Sequence, residues 1–131
     1  MSLMATDNTF QRAERLKSPV VIARLFKEGQ SFMAYPVRVV WMNMPAEDIE
    51  ATFPVKVAFS VSKRVFKTAV VRNLLKRRMR EAYRLHKADW YGLLQEAALP
   101  PIALMLIYVA KEPLPYKEIE SGVRKMMRKL P

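Results

Sequence analysis

The chain has 131 residues, with 23 Lys and Arg against 12 Asp and Glu, a formal net charge of +11 and no cysteine. That length suits one domain built around a single core, and a composition 51% hydrophobic and 27% charged, with three glycines and nine prolines, excludes a disordered or fibrous chain. Without cysteine there is neither a disulfide framework nor a thiolate metal site.

Residues 1–9 read as a flexible N-terminal arm, and residues 10–131 as one domain. The arm carries Asp7 and lacks the basic start and apolar core of a secretory signal, so the expected compartment is the cytoplasm. Ser18 as N-cap, Pro19 in the first helical position and Gly29 just beyond the end predict a first helix. Its Ile22, Leu25 and Phe26 share a face, with Arg24 and Lys27 turned away. Residues 35–44 are β-branched and aromatic and predict a strand, with Val37, Val39 and Trp41 on one side and Arg38, Val40 and Met42 on the other. An exposed connection with Glu47, Asp48 and Glu50 follows.

Residues 53–62 alternate more cleanly, aiming Val55, Val57, Phe59 and Val61 at the core. Thr68 is the expected N-cap of a long helix reaching about Lys87, followed by a polar, partly helical stretch to Ala98. The longest apolar run, residues 99–110, contains Pro100 and Pro101 and is shorter than the roughly 20 residues that cross a bilayer, so its residues 102–109 read as a buried strand. Past Pro113 and Pro115, a last helix repeats Tyr116, Ile119, Val123, Met126 or Met127, and Leu130 at helical spacing. The order is helix, two or three strands, helix, strand, helix. It predicts an α+β fold, a two-layer sandwich of helices on a small mixed sheet.

The charge is local. Residues 63–87 hold ten basic side chains and one acid, Glu81, a net of +9, while the other 106 residues carry 13 basic and 11 acidic groups, a net of +2. One concentrated block on an otherwise balanced chain points to a defined polyanionic partner, nucleic acid first. At ~100° per residue, Val71, Leu74, Leu75, Met79, Ala82 and Leu85 share one arc of the long helix, with Tyr83 at its edge. The opposite arc gathers Arg72, Asn73, Lys76, Arg77, Arg80, Arg84 and Lys87. Glu81 falls at the boundary. Arg78 falls in the apolar arc, where its stem is expected over the core and its guanidinium at the rim.

A basic run on a helix is often just a solvated face, but such faces mix signs so that i,i+4 pairs stabilise them. Here Arg72 and Lys76, Lys76 and Arg80, and Arg80 and Arg84 are like-charged neighbours at that spacing. Phosphates would neutralise them. Basic amphipathic helices also bind membranes, but this helix needs its apolar face for the core, so no membrane partner is expected.

No protein catalytic site is expected. His86, the one histidine, flanks the core arc and reads as a structural or RNA-facing side chain rather than a general base. No spacing suits a metal, and there is no phosphate loop or serine nucleophile motif. Met79, Met126 and Met127 read as core filler. Phe26 and Trp41 stay open between core packing, the favoured reading, and stacking on single-stranded bases.

The stretch FSVSKRVFKTAVVRNLLKRRMREAYRL, residues 59–85, resembles the bacterial ribonuclease P protein component. The likeness lies in the Ser60 to Arg64 strand end and in an Arg-Asn-Arg helix signature running from Arg72 to Glu81. Upstream, Arg15-Leu16 and the Leu25-Phe26-Lys27-Glu28-Gly29 helix end resemble the family's opening helix. The resemblance implies a ribosomal protein S5 domain 2-like fold with a left-handed βαβ crossover through the basic helix. It also implies the protein subunit of a ribonucleoprotein endonuclease that removes 5′ leaders from precursor tRNA, with hydrolysis performed by the catalytic RNA and its Mg²⁺. The RNA contacts so implied are Lys63, Arg64, Arg72, Asn73, Lys76, Arg77 and Arg80, and Arg84 extends the same stripe. A leader-binding cleft would be formed by Ile22, Phe26, Arg38 and Val40. Leu74 stands where the signature has its second arginine, and Phe66-Lys67-Thr68 where many members have a glycine. A structural or ribosomal RNA-binding protein of the same fold is the alternative.

Overall fold

A computed structural model of the chain describes residues 10, 12–44 and 53–130. The N-terminal arm and the acidic connection with Glu47, Asp48 and Glu50 lie outside them. A short 3-10 turn at Arg12–Glu14 precedes α1 (Pro19–Glu28), β1 (Gln30–Ala34), β2 (Val37–Asn43), β3 (Val55–Val61), α2 (Ala69–Glu96), β4 (Ile102–Tyr108) and α3 (Tyr116–Lys129).

The punctuation of α1 is as expected: Ser18 accepts from the Val21 amide, and the Gly29 amide returns to the Leu25 carbonyl. The first strand region differs. It is a hairpin, with Tyr35 and Pro36 in the turn rather than inside a strand, and with β1 as a separate edge strand. Polar Gln30 and Ser31 hide β1 in the sequence, because an edge strand exposes most of its length.

The sheet order is β1-β2-β4-β3, with β4 antiparallel to β2 and parallel to β3. The connection between the two parallel strands is α2. The alternating faces of the strands build two cores. Val37, Val39, Val55, Val57, Val61, Leu104 and Leu106 pack beneath α2 and α3 in the larger one. Val40, Ala103 and Met105 pack beneath Val21 and Leu25 of α1 in the smaller one. Buried on both faces, β4 reads as a continuous apolar run. Helix α3 rests directly on the hairpin: a Cβ on Gly122 would come within 2.8 Å of the Ala34 and Tyr35 carbonyl oxygens. Any larger residue there must push the helix off the sheet.

Helix α2 runs 28 residues, well past Lys87. Trp90, Tyr91 and Leu94 are buried and hold the extension down. The buried positions Leu75, Met79, Tyr83, Lys87 and Tyr91 follow at four-residue steps, each ~40° further round the helix, so the inward face drifts along its length. A fixed arc set at Val71 therefore misplaces residues toward the C-terminal end. Leu85, expected in the core, is 42% exposed; Tyr83, expected at the edge, is fully buried; and Lys87, expected in the cationic stripe, is 1% exposed. Leu74 is only half-buried and joins neither core.

The free edge of β3 is covered. Arg15 bridges to Val57, and the Leu16 amide donates to the Val57 carbonyl at 2.9 Å. Between them and α2 lies Glu14, fully buried, which accepts from Lys87 Nζ at 2.6 Å and from the Tyr91 hydroxyl at 2.6 Å. Since Tyr91 spends its proton on the carboxylate, Tyr83 donates to the Tyr91 oxygen at 2.7 Å.

Candidate nucleic-acid interface

Two segments present the basic residues. The first is the turn after β3, where Ser62 Oγ accepts from the Arg64 and Val65 amides and so holds Lys63 and Arg64 outward and exposed. The second is the N-terminal half of α2, where Asn73 and Arg77 are exposed and Arg72, Lys76 and Arg80 are half-buried, with half-buried Arg84 just past the midpoint. Thr68 caps α2 by position alone, with no side-chain bond.

The cations of α2 differ in what already holds them. Arg72 Nη1 donates to the Phe66 carbonyl at 2.8 Å, bracing the turn that leads into the helix. Arg78 reaches the rim and donates to the Leu114 carbonyl at 2.6 Å, joining α2 to the approach of α3. Arg84 is paired with Glu81, and the bond raises the Arg84 pKa and lowers that of the Glu81 carboxyl. Arg80 lies over the Phe59 ring at 5.9 Å. Burial first, then the nearby Arg15 and Arg77 charges, holds its pKa below the usual arginine value. Lys63, Arg64, Lys76 and Arg77 have no anionic partner among the described residues. His86 bonds Glu120 of α3 at 2.8 Å and is a structural link between the two helices.

On the opposite face of the sheet, cross-strand register aligns Met33, Arg38, Ile107 and Ser60 in one row, with Ile107 packed against the smaller core. Arg38 and Met33 are exposed, and Phe26 on α1 is 56% exposed. Ile22 is half-buried against the smaller core. Val40 lies one row deeper and is 7% exposed, so it supports the surface from beneath rather than lining it. Trp41, left open by its sequence, packs against the larger core. Met33, Ile107 and Ser60 were not legible as neighbours of Arg38, because only strand order and register bring them together. This row ends toward the turn that carries Lys63 and Arg64, since Ser60 lies near the end of β3.

Among the described residues, no group of three His, Asp or Glu side chains could hold a metal ion, and no helix is long and apolar enough to cross a membrane.

The sequence model of the ribonuclease P family matches residues 10–131. The chain is 35% identical over 127 residues to the ribonuclease P protein component of Porphyromonas gingivalis, an alignment covering 95% of this chain and 89% of that one. It is 37% identical over 90 residues to the component from Chlorobium phaeobacteroides, covering 68% and 61% of the two chains. In fold it is similar to the RNase P protein of Staphylococcus aureus, with a TM-score of 0.66 and 23% identity over 90% of this chain and 95% of that one. The protein from Thermotoga maritima gives a TM-score of 0.67 and 20% identity over 90% and 98%.

Proposed function

Because the chain belongs to the ribonuclease P family, it is the protein subunit of ribonuclease P in the 5′ maturation of tRNA, and we propose that it acts by docking α2 on the catalytic RNA. The observation that carries this reading is the concentration on this face of cations with no anionic partner among the described residues, Lys63, Arg64, Lys76 and Arg77 among them, beside Asn73. Arg72, Arg80 and Arg84 flank them. The helix presents Asn73, Lys76 and Arg77 at fixed spacing, with Lys63 and Arg64 on the turn before it, and each phosphate neutralised releases counterions.

The precursor's 5′ leader is assigned to the other face, on Phe26, Ile22 and Arg38, with Val40 supporting them from below. Phe26 offers an exposed ring for a base and Arg38 a guanidinium for the backbone. The charged turn at Lys63 and Arg64 lies between the two surfaces, so one chain can hold substrate and catalytic RNA together. In this reading hydrolysis belongs to the RNA and its Mg²⁺, and the protein lowers the electrostatic cost of bringing two polyanions into contact. The compartment is the cytoplasm, where both RNAs are met.

The test is reconstitution of the protein with a bacterial ribonuclease P RNA and a precursor tRNA at low Mg²⁺. Tighter substrate binding and faster release of the leader are expected on adding the protein. Cleavage and affinity unchanged by the protein would overturn the reading. RNA binding without any gain in processing would favour a purely structural RNA-binding role.

A further inference from the structure

The segment before α1 brings one more arginine to α2. Arg15 lies over the Phe10 ring at 5.6 Å, Phe10 meets Phe59 with ring centroids 6.0 Å apart, and Arg80 lies over Phe59 at 5.9 Å. Two guanidiniums are thus seated on two touching rings. A guanidinium on an aromatic face keeps its in-plane N–H donors for another partner. No carboxylate or carbonyl among the described residues accepts from Arg15 or Arg80 side chains, and Arg80 Nε is enclosed without a hydrogen-bond partner among them. Arg77, one turn from Arg80 on the same helix, adds a third charge with no anionic partner among the described residues.

Like charges do not gather by themselves, and packing holds these in place. Glu14, next to Arg15, is anchored by Lys87 and Tyr91, while the Leu16 amide on the other side is tied to β3. The buried carboxylate is satisfied inward, and Arg15 remains exposed beside Arg80. The arrangement resembles a receptor for one anion more than a solvated face.

We propose that Arg15, Arg77 and Arg80 form a composite site for a backbone phosphate of the catalytic RNA, so that the segment before α1 belongs to the RNA-binding surface. This rests on the reading that α2 docks on that RNA. Phe10 and Phe59 are positioning residues in it, since they orient the two forks without touching the phosphate.

The experiment measures binding of the full chain to ribonuclease P RNA alone, over a range of salt concentrations, for wild type, Arg15→Gln, Arg80→Gln and the double variant. Arg15→Gln is expected to weaken binding about tenfold or more, as loss of one charge-assisted hydrogen bond would. Its log–log salt slope should be shallower by about 0.7–0.9. The double variant should lose less than the product of the two single losses, because both forks serve one phosphate. Arg15→Lys keeps the charge and serves as the check on folding, with the wild-type melting temperature and most of the salt slope expected. Wild-type affinity in Arg15→Gln, or multiplicative losses in the double variant, would overturn the composite site while leaving α2 docking intact. Failure of the wild-type chain to bind the RNA would instead contradict the docking on which the site rests.

Discussion

The two halves of α2 carry basic residues to opposite ends. In the first half Arg77 points outward with no anionic partner among the described residues, and its charge is available to another molecule. In the second half Lys87 points inward, bonded to Glu14 and lying near the rings of Phe10, Phe53 and Tyr91. The same residue class does interface work in one half and structural work in the other. What separates them is the drift of the buried face, which by Lys87 has turned onto what was the cationic side. The distinction decides which substitutions should damage the fold and which should damage only RNA binding.

The largest effect is expected at the buried end. Lys87→Ala removes the ammonium that donates to the enclosed Glu14 carboxylate, and breaking a buried pair in this way costs about 3–5 kcal/mol, to be read by denaturant unfolding. Any affinity loss should follow from the unfolded fraction alone. Next comes a paired test of the drift itself. Leu75→Ala opens a cavity at a fully buried position and should cost about 2–5 kcal/mol, whereas Leu85→Ala, at a position 42% exposed, should cost less than about 1 kcal/mol. Equal losses would mean that the buried face does not turn.

Arg77→Ala is the mirror image of Lys87→Ala. It should weaken binding to ribonuclease P RNA about tenfold and flatten the salt dependence by about one contact, with an unchanged melting temperature. Arg84→Ala should have the smallest effect, weakening binding less than Arg77→Ala does. Glu81 already engages its guanidinium, so part of its charge is neutralised before RNA arrives.

Much of this was legible in the sequence, and particular residues show where legibility stopped. The caps of α1, the alternation of β3 and the buried run of β4 are local signals, and these three elements formed where the pattern placed them, whereas α2 ran past its expected end near Lys87. The fold class and the basic face of the first half of α2 followed from the same periodicity and from the resemblance at residues 59–85. Local pattern could not reveal partners distant in sequence. Glu14 and Lys87 are 73 residues apart, and nothing in either neighbourhood marks them as a pair. Nothing local to Arg15 marks its closeness to Arg80, which comes from the pairing of its segment with the edge of β3. The row through Arg38 required strand register, and β1 was missed because an exposed edge strand has no apolar alternation to read.

The most direct test uses the absence of cysteine from the chain, which makes a single introduced thiol a unique attachment point. Asn73→Cys and Gln95→Cys, both at exposed positions on α2, would each be labelled with a photoreactive group and irradiated in complex with ribonuclease P RNA. Crosslinking from position 73 and none above background from position 95 is the predicted result. Equal crosslinking from both, or crosslinking from position 95 alone, would contradict the assignment of the first half of α2 to RNA and the second half to the core.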